Sequence, residues 1–256
     1  MIEVRDVYVS FKKENQSSLL GSDRNTVLKS ISFSVPRGIN LGILGESGSG
    51  KSTLGKVICG LLKPDSGQVT IDGNLLYQKG IRSKRKKTPM VSVVFQDYKS
   101  STNPRMTVGD IILESLIRVE HFKDRSEYDK AIDSALERVN LSKDYKDRFP
   151  HELSGGQLQR VCIARALATQ AKVIVFDEAV SALDAHTQVQ IMDLLKHIQE
   201  ALNLTYIFIT HDLTSVTYFC DYVKFLYQGE FTESIEVSRL SEVRDVYAHK
   251  LLNAVL

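Results

Sequence analysis

The segment Gly45-Glu46-Ser47-Gly48-Ser49-Gly50-Lys51-Ser52 has the spacing G-x-x-x-x-G-K-[ST], with Thr53 following. Glycines at such positions let successive backbone N–H groups turn inward around phosphate oxygens without Cβ obstruction. Lys51 is then placed to set its ammonium on the β- and γ-phosphates, Ser52 to offer its hydroxyl to Mg²⁺, and the following helix to add its positive dipole end. A flexible Gly/Ser loop would match by chance on the order of once in a hundred such chains. The motif leaves many phosphate chemistries open, so discrimination must come from other residues.

Lys172 to Glu178 reads K-V-I-V-F-D-E, an apolar run that ends abruptly in two acids. Two carboxylates pack poorly at a strand end but suit a divalent ion, so Asp177 is expected to hold Mg²⁺ through water. Glu178, one residue on, can orient a water attacking the γ-phosphate or accept its proton, which makes it the expected catalytic base. His211 directly follows the apolar run Tyr206 to Thr210. At the end of an open α/β sheet its imidazole could contact the γ-phosphate and distinguish ATP from ADP.

Leu153-Ser154-Gly155-Gly156-Gln157 precedes a helical pattern carrying Val161, Ala164, Leu167 and Ala168 on one face. Ser154 is placed to cap that helix and the two glycines expose amides, which makes a second anion-binding helix terminus. One nucleotide does not need two such cradles from one molecule. A site shared between two protomers accounts for both.

These residues need a sheet to carry them. Ile2, Val4, Val7 and Val9, then Ile31, Phe33 and Val35, predict two strands separated by a long polar loop from Lys12 to Thr26. Asn40 to Leu44 predicts a buried strand, followed after Gly50 by a helix through Leu54, Val57, Ile58 and Leu61 that ends at Pro64. Val91 to Phe95, Val173 to Phe176 and Tyr206 to Ile209 predict interior strands of a mostly parallel sheet. Between them, Ile111, Ile112, Ser115, Leu116 and Val119, then Ile132, Ala135, Leu136 and Val139, follow helical spacing. Thr107 with Asp110 and Ser126 with Asp129 read as capping pairs, so residues from about 97 to 153 form a helical insertion.

The bulk composition agrees with this reading. With 43% hydrophobic and 25% charged residues over 256 positions, the chain can bury a substantial core. A formal net charge of +2 is too small for a general polyanion binder, so no nucleic-acid partner is expected. The basic run Arg82 to Lys87 is read as a solvated loop. Cys59, Cys162 and Cys220 lack the spacing of a disulfide framework or zinc site, and Met1 to Lys13 alternates instead of forming a secretory signal. No apolar stretch is long enough to span a bilayer.

Taken together, the motifs resemble the ABC ATPase family in order and approximate spacing, from about Ile2 to Glu233. The resemblance implies an α/β fold: a P-loop NTPase, RecA-like core over 1–96 and 154–256, an N-terminal antiparallel β subdomain, and an inserted α-helical subdomain over 97–153. It implies that Gln96 touches Mg²⁺ and relays movement to a transport partner. Ser181 to Asp184 would form a loop crossing the dimer interface, and Phe11 would stack on adenine, with Tyr8 as its rival. Ala179 stands where many relatives carry Pro, which removes no chemical group. In the family two subunits sandwich two ATP molecules, each phosphate loop facing the other protomer's signature. ATP closes the pair and hydrolysis opens it, because only the γ-phosphate bridges both cradles.

Phe95-Gln96-Asp97 and Ser101 to Val108, with the ending Tyr247-Ala248-His249-Lys250-Leu251-Leu252, resemble the branch that imports oligopeptides, dipeptides and nickel. Tyr98 and Thr102 depart from that branch's usual Pro and Leu. The branch implies transmembrane permease subunits as partners and a second ATPase subunit, as heterodimer or homodimer. It also implies an external substrate-binding protein acting indirectly, and a peripheral place on the cytoplasmic face of the membrane. An exporter ATPase would share every catalytic residue and differ only in partner, and a soluble ABC ATPase acting as a scaffold or regulator is a further alternative, so cargo and direction stay open at this point. The stretch from Ser100 to Val119 is where the family docks a permease helix, although Ile111, Ile112 and Leu116 equally suit subdomain core.

Overall fold

The computed structural model describes residues 2–12, 24–78, 90–119, 122 and 124–254. The basic run from Arg82 to Lys87 and most of the long loop after Lys12 lie outside these residues. Along the chain run β1 (Ile2–Lys12), β2 (Arg24–Val35), β3 (Asn40–Leu44), α1 (Lys51–Ile58), β4 (Ser66–Ile71) and β5 (Asn74–Gln78). There follow β6 (Val91–Phe95), α2 (Val108–Leu116), α3 (Arg125–Arg138), α4 (Gly155–Ala168), β7 (Val173–Asp177) and α5 (Ala185–Leu202). The chain closes with β8 (Thr205–Thr210), α6 (Leu213–Phe219), β9 (Tyr222–Tyr227), β10 (Glu230–Glu236) and α7 (Val246–Asn253). The elements divide into two compact units, Met1–Lys84 with Ile207–Leu256, and Arg85–Tyr206.

In the first unit an antiparallel sheet has the order β2-β1-β4-β5. Ile2, Val4, Val7 and Val9 are all buried, yet the two-residue period slips by one between Val4 and Val7. The slip is a bulge: Asp6 takes a left-handed φ of 50° and its N–H donates to Ser32 Oγ at 2.8 Å. An extra residue there lets two out-of-phase apolar pairs face the same core. The other strands of this unit run in the order β10-β9-β3-β8. All five residues of β3 are buried, as a strand covered on both faces requires. The phosphate loop leaves its end.

Two sequence expectations need correction here. Helix α1 stops at Ile58, and Gly60 at φ 75° turns the chain away, so Leu61 is exposed instead of continuing the apolar face to Pro64. The polar loop is shorter than expected, because Arg24 to Thr26 already belong to β2.

In the second unit β6 and β7 pair in parallel, and α4 packs against α2, α3 and β6. Ile111, Ile112, Leu116, Ile132, Ala135, Leu136 and Val139 are buried, which makes them helical core. Val119 lies beyond the end of α2. Thr107 caps α2 in a reciprocal capping box with Asp110, as predicted. Ser126 does not cap α3. Asp124 does, its carboxylate accepting Glu127 N–H at 3.0 Å: the helix already starts at Arg125, so Ser126 lies inside the first turn. Among the described residues no helix is long and apolar enough to cross a membrane.

Candidate functional site

The first unit holds the phosphate loop, His211 and Phe11. Gly45 follows β3 so closely against the end of β9 that an added Cβ would lie 2.3 Å from Leu226 O. Gly50 has φ 107°, a backbone state that L side chains rarely adopt, and it brings no capping side chain to α1. The first turn of α1 carries no acidic residue either, so no carboxylate of the helix itself answers its N-terminal dipole. Lys51 is buried and its Nζ donates to Gly45 O at 2.7 Å and Glu46 O at 2.8 Å, which curls the loop around its own ammonium. Ser49 Oγ is buried with no hydrogen-bond partner. An orphaned hydroxyl, a buried cation and a helix start without an anion form a cradle that fits a phosphate chain.

The rest of the loop is braced from outside. Gly229 N–H donates to Ser49 O at 3.0 Å, and Glu46 N–H donates to the Tyr247 hydroxyl at 2.9 Å. His211 is exposed and lies between β8, a neighbour of β3, and α6. Asp212 caps α6 by accepting Thr214 N–H and Ser215 N–H, each at 3.0 Å, and so fixes the backbone beside the histidine. Phe11 and Tyr8 are both exposed near the end of β1, Phe11 the more so at 44% against 37%. Next to Phe11, Ser10 and Asp65 share two hydrogen bonds, and Arg24 donates to both residues.

The second unit holds Gln96, the Ser154 turn, Asp177, Glu178 and Asp184. Phe95 pairs with Asp177, so β6 and β7 end level, and Gln96 and Glu178 follow at neighbouring positions. Glu178 takes a left-handed φ of 50°, and its carbonyl accepts both Ser181 N–H at 3.2 Å and Ser181 Oγ–H at 2.9 Å. This turn holds the acid just past the strand end.

Ser154 caps α4 in a capping box: its Oγ accepts Gln157 N–H at 3.3 Å, and Gln157 Oε1 accepts Ser154 N–H at 2.9 Å. Gln157 Nε2 donates in turn to the Tyr145 hydroxyl at 2.9 Å. The helix behind it is anchored by buried Leu158, Val161, Ile163 and Ala164. Asp184 caps α5, accepting Thr187 N–H at 2.9 Å and Thr187 Oγ1–H at 2.8 Å. Those bonds, the backbone one first, hold its carboxyl below the ordinary aspartate range.

Sequence reasoning missed Tyr247 and the Ser10–Arg24–Asp65 cluster. The only signal for Tyr247 was the ending that contains it, and nothing in local spacing marks the other.

The ABC transporter family model matches residues 28–181, which run from β2 past the two acids. The chain belongs to the ABC transporter family. As a member it is an ABC ATPase, a P-loop fold that binds ATP and hydrolyses it to ADP and phosphate. The metal-staphylopine import system ATP-binding protein CntF of Staphylococcus aureus (strain NCTC 8325 / PS 47) is 41% identical over 257 residues, covering 100% of this chain and 99% of that protein. The oligopeptide transport ATP-binding protein OppF of Haemophilus influenzae is 37% identical, covering 100% of this chain and 78% of that protein. Among solved ABC structures, the dimeric cassette MJ0796 in a post-hydrolysis state with ADP and Pi aligns with a TM-score of 0.78 at 29% identity, over 93% of this chain and 99% of that one. The structure of cbiO1 from Clostridium perfringens, part of the complex cbiONQ, aligns with a TM-score of 0.77 at 29% identity, over 100% of this chain and 95% of that one.

Proposed function

We propose that this ABC ATPase is the energy-coupling subunit of an importer for metal chelates or peptides. The observation that carries the catalytic part is that the chain holds both a buried Lys51 cradle, in its first unit, and, in its second, the Ser154 turn with exposed amides and the Asp177-Glu178 strand end. The importer part is supported by similarity along this whole chain to ATP-binding proteins of metal-staphylopine import and of oligopeptide transport.

In this reading Gly45 to Thr53 grip the phosphates, Lys51 countering the β- and γ-oxygens while backbone amides supply the remaining donors. Phe11 takes the adenine. Ser154, Gly155, Gly156 and Gln157 of one copy cap the γ-phosphate held by another, and Asp184 borders that interface. Ser52, Gln96 and Asp177 offer a hydroxyl, an amide and a carboxylate, a hard oxygen set that suits Mg²⁺. When bound, the ion neutralises charge on the phosphate oxygens. Glu178 orients the attacking water and takes its proton as the bond from the γ-phosphorus to the leaving ADP oxygen breaks. His211 reads the presence of the γ-phosphate.

Residues 97–153 act as an inserted helical subdomain against which permease subunits dock. A second ATPase subunit completes the pair, and an external binding protein chooses the cargo. The chain works peripherally at the cytoplasmic face of the membrane.

Co-expression with candidate permease subunits and a candidate second ATPase subunit, followed by reconstitution, tests this. Uptake of a metal chelate or peptide that depends on external binding protein and fails with Glu178→Gln is the expected result. ATP-driven movement outward without a binding protein would reject the importer assignment.

A further inference from the structure

Tyr247 stands outside every motif of the phosphate site, yet its hydroxyl accepts the N–H of Glu46, the second residue of the phosphate loop, at 2.9 Å. We propose that Tyr247 is a positioning residue for ATP binding: helix α7 fixes the shape of the phosphate loop before the nucleotide arrives. The inference rests on the reading of that loop as the ATP cradle.

The bond has a clear physical consequence. A backbone amide committed to a protein hydroxyl is not aimed at the phosphates, so the Glu46 amide acts as a strut and leaves the cradle to the residues after it. Tyr247 is itself held firmly. It is 9% exposed, its ring packs on Tyr227 with centroids 4.3 Å apart, and a tyrosine has only two side-chain torsions to fix. Lys250, one helical turn on and on the same face, brings its Nζ to 3.7 Å from the Glu46 carboxylate. That pair is exposed and contributes little by itself.

Helix α7 is anchored at its start. Asp245 caps it by accepting Ala248 N–H at 3.0 Å, while a Glu233 carboxylate oxygen on β10 accepts Arg244 N–H at 2.9 Å and Asp245 N–H at 2.8 Å. From its other flank, His249 and Leu252 line a cavity of about 550 Å³ together with Leu213 and Thr214 of α6. Helix α6 begins directly after His211-Asp212. One eight-residue helix therefore touches the phosphate loop and borders the helix that follows the γ-phosphate-sensing histidine. With Gly45 stopped by Leu226 O and Ser49 O held by Gly229 N–H, the strut at Glu46 completes the bracing of the loop's first half.

The test uses the full chain and MgATP. Tyr247→Phe keeps the ring and deletes only the acceptor. It is expected to raise the Kd and KM for ATP about 2- to 12-fold, the range that corresponds to one hydrogen bond, with kcat changed less than about twofold. Amide hydrogen exchange at Glu46 should accelerate in the variant, and Lys250→Ala should shift KM by less. A variant with wild-type KM and wild-type protection at Glu46 would overturn the inference, as would a wild-type chain whose Glu46 amide exchanges as fast as an exposed loop. A wild-type chain without ATP affinity would sink the cradle itself, a separate result that takes this inference with it.

Discussion

Phe95 and Asp177 face each other across parallel strands β6 and β7, so Gln96 and Glu178 leave the sheet side by side. Glu178 does so at a φ of 50°, a left-handed state that costs a non-glycine residue about 1 kcal/mol. Glu178→Gln is expected to lower ATP turnover by roughly 100-fold or more while leaving ATP affinity within a few-fold. Glu178→Gly should abolish turnover equally and yet raise the melting temperature, since glycine relieves the strain. Turnover assays beside thermal unfolding check both, and wild-type turnover in either variant would remove Glu178 from its role.

The cluster beside Phe11 carries a pH dependence. Hydrogen bonds from Ser10, with Arg24 at 3.0 Å, hold the Asp65 carboxyl below its ordinary value of 3.8. A depressed aspartate stabilises the fold above its unfolded pKa and loses that contribution as pH falls through the folded one. The stability gap between wild type and Asp65→Asn should therefore be present near pH 6 and close toward pH 3. Because the pair is exposed, the gap is expected to be only a few tenths of a kcal/mol, about. Denaturant melts at the two pH values measure it, and a gap that widens on acidification would contradict the assignment.

Gly45 offers a steric test of the loop's path. A Cβ at this position would lie 2.3 Å from the backbone oxygen of Leu226, an atom that cannot rotate away. Gly45→Ala must push the loop off β9, at a cost of about 1–3 kcal/mol in stability. Calorimetry should show that loss together with ATP affinity weakened more than tenfold. An alanine variant with normal melting and normal binding would mean that the loop does not follow this path.

The sequence made chemistry more legible than architecture. The phosphate loop, the two acids at the end of β7 and the Ser154 cap are each read from residue types at fixed short spacing, and the structure places each at the strand end or helix start that the spacing demands. The hairpin of β4 and β5 escaped notice although Asp72 and Gly73, both left-handed, form the kind of two-residue turn that such hairpins favour. Strands β9 and β10 were hidden because lysine, tyrosine and glutamate interrupt their apolar residues. Glu46 and Tyr247 are 201 residues apart, so no local period could join them. Leu61 was assigned to a helix face because periodicity continued past the glycine that ended the helix.

Ser154 separates two roles that one substitution usually confounds. Its hydroxyl caps α4, and its amide-rich turn is proposed to bind the γ-phosphate of another copy. Ser154→Ala deletes the cap and should cost about 1 kcal/mol in stability as well as activity, which leaves the two effects mixed. Ser154→Asp keeps a good capping acceptor, so the melting temperature should stay within a degree or two, about. The same carboxylate sets a negative charge against an incoming phosphate, a like-charge contact that low-dielectric surroundings make worse. ATP-driven dimerisation and steady-state hydrolysis are therefore expected to fall at least tenfold in the aspartate variant, while ATP binding to the single chain, which uses the Lys51 cradle, stays within a few-fold. Light scattering with ATP in the Glu178→Gln background reads the dimer, and a Ser154→Asp chain that still dimerises and hydrolyses normally would show that this turn caps a helix and nothing more.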